Sequence, residues 1–185
     1  MSDPKNVAAK YEAEVKQADL DHHKPTAGAM TGHILANFWV FDMKLHQAKW
    51  YLTGALSVAA QPLFAEMIEK NRANIDELGE LLLDENEVVP TTTKEVHAYG
   101  KLTEDGSYKY LDSEELVGQT AADFVTQDMF IDRAIKLAER ENRPALAQYL
   151  VDLRRYNNGM QRKLQAILGK TAWEGLVEVD EDDED

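Results

Sequence analysis

FAEMIEKNRANIDELGELLLDE, residues 64–85, carries a packing seam and a row of carboxylates in one stretch. Phe64, Ile68, Asn71, Ile75, Leu78 and Leu82 recur at alternating steps of four and three, the spacing that lays side chains along one stripe of an α-helix. That stripe predicts a face turned to a core. Glu69, Asp76, Glu80 and Asp84 follow at steps of seven, four and four, forming a second row that drifts slowly beside the first. Carboxylates four apart repel one another. The row therefore reads either as a solvated face or as a place where a hard cation gathers several oxygens.

Working outward, a matching seam precedes it: Ile34, Phe38, Phe41, Leu45, Ala48 and Leu52 again alternate four and three. This predicts a long helix from just after Pro25 to Thr53, with Gly54 as its C-terminal stop, followed by a short turn over Ala55 to Pro62. After the central helix comes a connection from Glu87 to Ser113, containing Pro90, three threonines at 91–93, Gly100 and Gly106. Neighbouring antiparallel helices need only a few linking residues. A connection this long is expected to cross from one end of a bundle to the other, with a short helix near Lys94 to Tyr99. A third bundle helix is expected after Gly118, with Thr120 and Asp123 as a weak capping box and Phe124, Gln127, Ile131, Ala134 and Ala138 as its stripe. Asn142 and Pro144 break the chain. A fourth helix is expected over Ala145 to Leu168, with Leu146, Leu150, Leu153, Met160 and Leu164 inward and Gly169 at its end.

At the N-terminus, Asp3 before Pro4 reads as a cap with proline at the first helical position. It predicts a short helix to about Ala18. Residues 1–24 hold Lys5, Lys10, Lys16 and Lys24 against five acids, so this arm is nearly neutral in an otherwise acidic chain. The expected organisation is an arm (1–24), a four-helix bundle (25–170) and an acidic, disordered tail (171–185).

The 185 residues suit one domain with a substantial core. No apolar run approaches the roughly 18 residues that span a bilayer, and the first 25 residues lack a signal peptide's apolar segment. The expectation is a cytoplasmic protein with no membrane partner. With no cysteine in the chain, disulfides, thiolate zinc sites and cysteine nucleophiles are excluded. The net charge is −14, and eight acids follow the last base, Lys170. Taking those eight from −14 leaves −6 for the rest, which argues against a uniformly basic nucleic-acid surface.

Four long helices with one crossover between the second and third describe an all-α, ferritin-like four-helix bundle. The dimetal form of that bundle uses Glu-x-x-His, which this chain lacks, together with His-Glu-x-x-His and the glycine-rich phosphate loops. Asp21-His22-His23 carries metal-binding residue types, but neighbours on one arm do not converge on one ion. His33 and His46 read as packed or surface histidines.

Leu45-His46-x-x-Lys49-Trp50-x-x-x-Gly54, the aromatic start at Phe64, Ile75-Asp76-Glu77-x-x-Glu80 and Val89-Pro90-x-Thr92 together resemble the Dps family of mini-ferritins, over about Gly32 to Gly169. The resemblance implies hollow homo-oligomeric shells, dodecamers of the bundle, that oxidise iron(II) with peroxide, store the iron(III) mineral and in many cases bind DNA through a terminal arm. It implies an oxidation site between subunits, with Asp76 and Glu80 as metal ligands from one copy and two histidines from the other. Here Lys49 and Gln61 stand where those histidines stand, and Ala65 replaces a further acid. A charged ammonium has no lone pair, so only Asp76 and Glu80 remain for iron or another divalent cation. Lys49 can instead form an ion pair with them across the interface. The implied function is a stress-protective mini-ferritin that binds, oxidises and stores iron and protects DNA, with Lys5, Lys10 and Lys16 as DNA contacts. The alternative is a DNA-binding or structural shell without ferroxidase activity at this position. Trp39, Trp50 and Tyr51 lie off the main seam and call for a further surface to cover them.

Overall fold

The structure, a computed structural model, describes residues 4–176, apart from the side chain of His22. The expected Asp3 cap and the part of the acidic tail from residue 177 onward lie outside the described residues. Six helices follow in order: α1 Pro4–His23, α2 Ala27–Tyr51, α3 Gly54–Asp84, α4 Thr93–Tyr99, α5 Ser113–Arg140 and α6 Pro144–Ile167, with a 3-10 turn at Gly106–Tyr110. No strand occurs among the described residues. α2 packs on α3 and α5, and α5 on α6.

Every residue of the opening seam is buried, and so is every residue of the α2 seam. Fully burying one such side chain contributes about 1.5–3 kcal/mol, so these seams outweigh the weak local signals at the helix ends. The core forms two apolar clusters. One holds Leu45, Phe64, Leu116, Phe124 and Leu164; the other holds Ile34, Leu78, Ile131, Leu146 and Leu150. α2 and α6 run from the second cluster to the first, and α3 and α5 run the opposite way. Because α3 and α5 are parallel, the chain between them must return along the full bundle, which is the physical reason for the long crossover.

The crossover lies along α2, whose polar residues satisfy its backbone. His33 Nδ1 is 2.7 Å from the Tyr99 carbonyl, and Asn37 Oδ1 accepts from the amides of Lys101 and Leu102 at 2.6 and 3.1 Å. Lys44 Nζ donates to the Thr103 carbonyl at 2.6 Å, and Gln47 Nε2 to the Asp105 carbonyl at 3.1 Å. These four recur at helical spacing, so one flank of α2 is a strip of anchors. α4 sits within the crossover under a reciprocal Thr92–Glu95 capping box.

Several boundaries differ from the sequence expectation. α2 stops at Tyr51, and Gly54, at φ +67, opens α3 instead of ending α2. The two helices are joined only by Leu52 and an extended Thr53. Residues 55–62, read as a turn, are helix, and Pro62 lies inside α3. Proline there removes one backbone bond, tolerable because both Val58 and Pro62 are exposed and water reaches the freed carbonyl. α5 begins at Ser113, ahead of Gly118, capped by Asp112 and Glu115 reciprocally. Thr120 and Asp123 are buried inside the helix. α1 continues past Ala18 to His23. At the other end, residues 171–176 form a turn on α6: Gln161 Nε2 donates to the Ala172 carbonyl and Gln165 Nε2 to that of Glu174. Arg154 lies 5.7 Å from the Trp173 ring centre.

Candidate functional site

Burial of Ile75, Leu78 and Leu82 rotates the carboxylate row of α3 outward, so Glu69, Asp76, Glu80 and Asp84 are all exposed. Glu77, Glu80 and Asp84 face Gln148, Tyr149 and Asp152 of α6 across an open groove of about 460 Å³. Tyr149 donates to Asn74 Oδ1 at 3.4 Å, and burial, with Glu77 nearby, pushes its phenol up and keeps it neutral. Among the described residues no three His, Asp or Glu side chains are grouped to hold a metal ion.

Asp76 and Glu80 share one exposed flank. Gln61 lies fifteen residues before Asp76 on the same helix, a separation of roughly 22 Å at 1.5 Å per residue. Lys49, in the last turn of α2, is near the same end of α3 as Gln61. Within one chain, then, neither Lys49 nor Gln61 reaches the two carboxylates. Beside the row, Arg72 donates to Asp42 Oδ1 at 3.1 Å and to His46 Nε2 at 3.1 Å, while His46 Nδ1 is 2.6 Å from the Asp42 carbonyl. His46 therefore serves helix packing with both ring nitrogens engaged. His33 is likewise packed, on Tyr99 and Phe130.

On α1 the side chains of Lys5, Lys10 and Lys16 are exposed, as are Val7, Tyr11 and Val15. Lys5 and Lys16 project to nearly the same side and Lys10 to another. Tyr11 and Glu14 face α4: burial and then the Glu95 carboxylate raise Glu14, while burial, Glu95 and Glu14 raise Tyr99. Asp21 accepts from Gln17 at 2.8 Å, and His23 Nδ1 lies 2.8 Å from the Asp19 carbonyl. The His22 side chain, the third member of that sequence cluster, is outside the described residues.

Three charged clusters were not legible from spacing. Lys44 meets Asp123 at 3.1 Å in the interior. Arg154 joins Asp128 at 2.8 Å and Asp132 at 2.9 Å. Arg143 gathers Glu87 at 2.5 Å, Glu141 at 3.2 Å and Glu85 at 3.8 Å where four chain segments meet. The only sequence signal for the first was a lysine and an aspartate on core-facing positions. Such residues are rarely buried unless paired.

Residues 30–172 match the family model of the ferritin-like domain, which agrees with the four-helix bundle and its crossover. Among solved structures, the DpsB protein of Lactococcus lactis MG1363 is 40% identical, with 91% of this chain and 98% of that chain covered at a TM-score of 0.86. DpsA of the same organism is 41% identical, covering 89% and 97% at a TM-score of 0.83. Dps from Listeria monocytogenes, at 20% identity and a TM-score of 0.76 over 80% of this chain and 96% of that one, shares the fold. No curated protein matches the sequence. The domain is thus a ferritin-like bundle. Within that class, the chain belongs to the Dps family.

Proposed function

We propose that the chain assembles into a closed, hollow homo-oligomer of the Dps kind, a cytoplasmic dodecamer that sequesters iron and protects DNA under stress, with α1 as the DNA-contacting arm. The observation that supports it most is α1 itself. Twenty residues of helix stand almost wholly exposed beside a bundle that needs no further helix, and they carry Lys5, Lys10 and Lys16. Arms of this kind bind phosphates electrostatically, with a logarithmic salt slope of about 0.9 per contact. No helix is long and apolar enough to cross a membrane among the described residues.

Iron is the cargo, and the donor set decides how well it is handled. Asp76 and Glu80 offer oxygens only, whereas iron sites of mixed character use imidazole as well. A Lys49 ammonium brought up by another copy repels the incoming cation. This favours a second reading for the catalytic step: a shell that binds DNA and holds iron, with slow oxidation at these two carboxylates. Iron(II) oxidation and DNA retardation measured on one preparation separate the readings. Removal of residues 1–24 is expected to abolish retardation and leave the oligomer intact. Unchanged retardation would assign DNA binding to another surface.

A further inference from the structure

The two apolar clusters of the bundle are kept apart by a polar layer. On α3 the apolar series is interrupted at Asn71 and Asn74, on α5 at Gln127, and on α6 at Tyr156 and Asn157; the four amides are at most 4% exposed. These side chains, with aromatic walls from α2 and α5, enclose a cavity touching all four long helices, with about 10 Å³ at its centre. Most of the layer is bonded: Asn71 Nδ2 donates to the Phe38 carbonyl at 2.9 Å, and Asn157 Nδ2 to Asp128 at 2.8 Å. Two atoms lining the cavity have no partner in the chain, Gln127 Nε2 and Tyr156 Oη. Leaving buried donors unpaired is costly, and native interiors almost always satisfy them with protein or ordered water.

We infer that this layer is a binding site for one water molecule, which accepts from Gln127 Nε2 and bonds Tyr156 Oη, linking α5 to α6 at mid-bundle. The space matches the volume of a single water-sized sphere, and two polar partners are the minimum such a water needs. The donor set excludes a cation. Bundles that hold metals in their core present several carboxylates there, whereas this layer presents amides and a phenol. No carboxylate lines it, and Asp128, which is bonded to the lining Asn157, is held by Asn157 and by Arg154 Nη1, each at 2.8 Å. Burial pushes the Tyr156 phenol up, so the hydroxyl keeps its proton and can both donate and accept.

A crystal structure of the full chain at better than about 1.5 Å tests this directly. The expected result is a spherical water peak about 2.7–3.2 Å from both atoms. No peak, or a direct bond from Gln127 Nε2 to another protein atom, overturns the inference; so does an anomalous signal there after manganese soaking. Thermal unfolding of Gln127→Met, Tyr156→Phe and the double variant gives an independent reading. Each single change strands the other partner, so the double variant should lose less than the two single losses added together. Strictly additive losses would show that no shared molecule couples the two side chains.

Discussion

Asp123 sits where two effects oppose each other. Burial disfavours its charged form and pushes its pKa up to about 6, against the pull of the Lys44 ammonium 3.1 Å away. Desolvation wins because an ion pair in the interior recovers only part of what two charges lose on leaving water. The sign of the pH effect follows from linkage. A carboxyl whose native pKa lies above its unfolded value binds protons more tightly when folded. Its contribution is therefore fully present below the unfolded value near 4 and is lost as pH rises through 6. Relative to Asp123→Asn, the wild type should lose up to about 3 kcal/mol between pH 4 and pH 7 and change little above that. Denaturant unfolding of both proteins across that range checks it. A wild type that instead gains on the variant with rising pH would show that the Lys44 attraction outweighs burial.

At the scale of elements, the crossover depends on α2 for its hydrogen bonds. Asn37 Oδ1 is the shared acceptor for the Lys101 and Leu102 amides, and removing it strands two donors, Leu102 lying in the core. Asn37→Ala should cost about 1–3 kcal/mol. Hydrogen exchange should accelerate around residues 99–105 and stay slow in α5 and α6. Uniform acceleration would mean that the crossover opens only when the bundle does. The opposite end of α2 is tied differently: Glu141 Oε1 accepts from the Ala27 amide at 2.9 Å, and the Glu87 carboxylate lies against Gly28, where an added Cβ would come within 2.1 Å of it. Both carboxylates also meet the helix N-terminus favourably. Gly28→Ala should push the flexible end of Glu87 away from Arg143, a loss of about 0–1 kcal/mol offset by the roughly 0.8–1 kcal/mol that alanine gains over glycine in a helix. Thermal unfolding should therefore show little net change; a drop of many degrees would mean that Glu87 cannot move aside.

For the whole molecule, the outer face of α2 leaves Trp39, Met43, Trp50 and Tyr51 exposed, Trp50 to 71%. Soluble proteins cover large apolar patches by association. Light scattering should give a mass about twelve times the 20.9 kDa of one chain, the mass of the proposed dodecamer. Trp50→Glu with Trp39→Glu should shift it to smaller species, and a monomeric wild type would remove the shell from the account. The proposed iron chemistry belongs to this scale too, since Gln61 and Asp76 lie too far apart to meet within one chain. Lys49→His with Gln61→His should accelerate iron(II) oxidation, by tenfold or more if about 1.4 kcal/mol of barrier is removed. Rates followed by absorbance with peroxide, against Asp76→Ala, decide it. Rapid wild-type turnover that survives Asp76→Ala would place the working site elsewhere.

Periodicity alone determined the four long helices, because burying seams such as Phe64 to Leu82 dominates their energetics and leaves a regular mark. The length of the segment from Glu87 to Ser113 was enough to indicate a crossover. The tertiary structure decided what depends on partners distant in sequence. Gly54 and Pro62 carry local breaker signals, yet packing of Ala60, Leu63 and Phe64 into the first cluster draws residues 54–62 into α3. Asp123 looked like a capping residue until Lys44, far away in the chain, gave it an interior role. Of the candidate site, the sequence supplied the carboxylates Asp76 and Glu80, with Lys49 and Gln61 at the positions where the family resemblance implies histidines. Only the fold set the long separation of Gln61 from Asp76 within the chain, since distance along a helix is fixed by its rise while the continuity of that helix through Gly54 and Pro62 is not written in any local pattern.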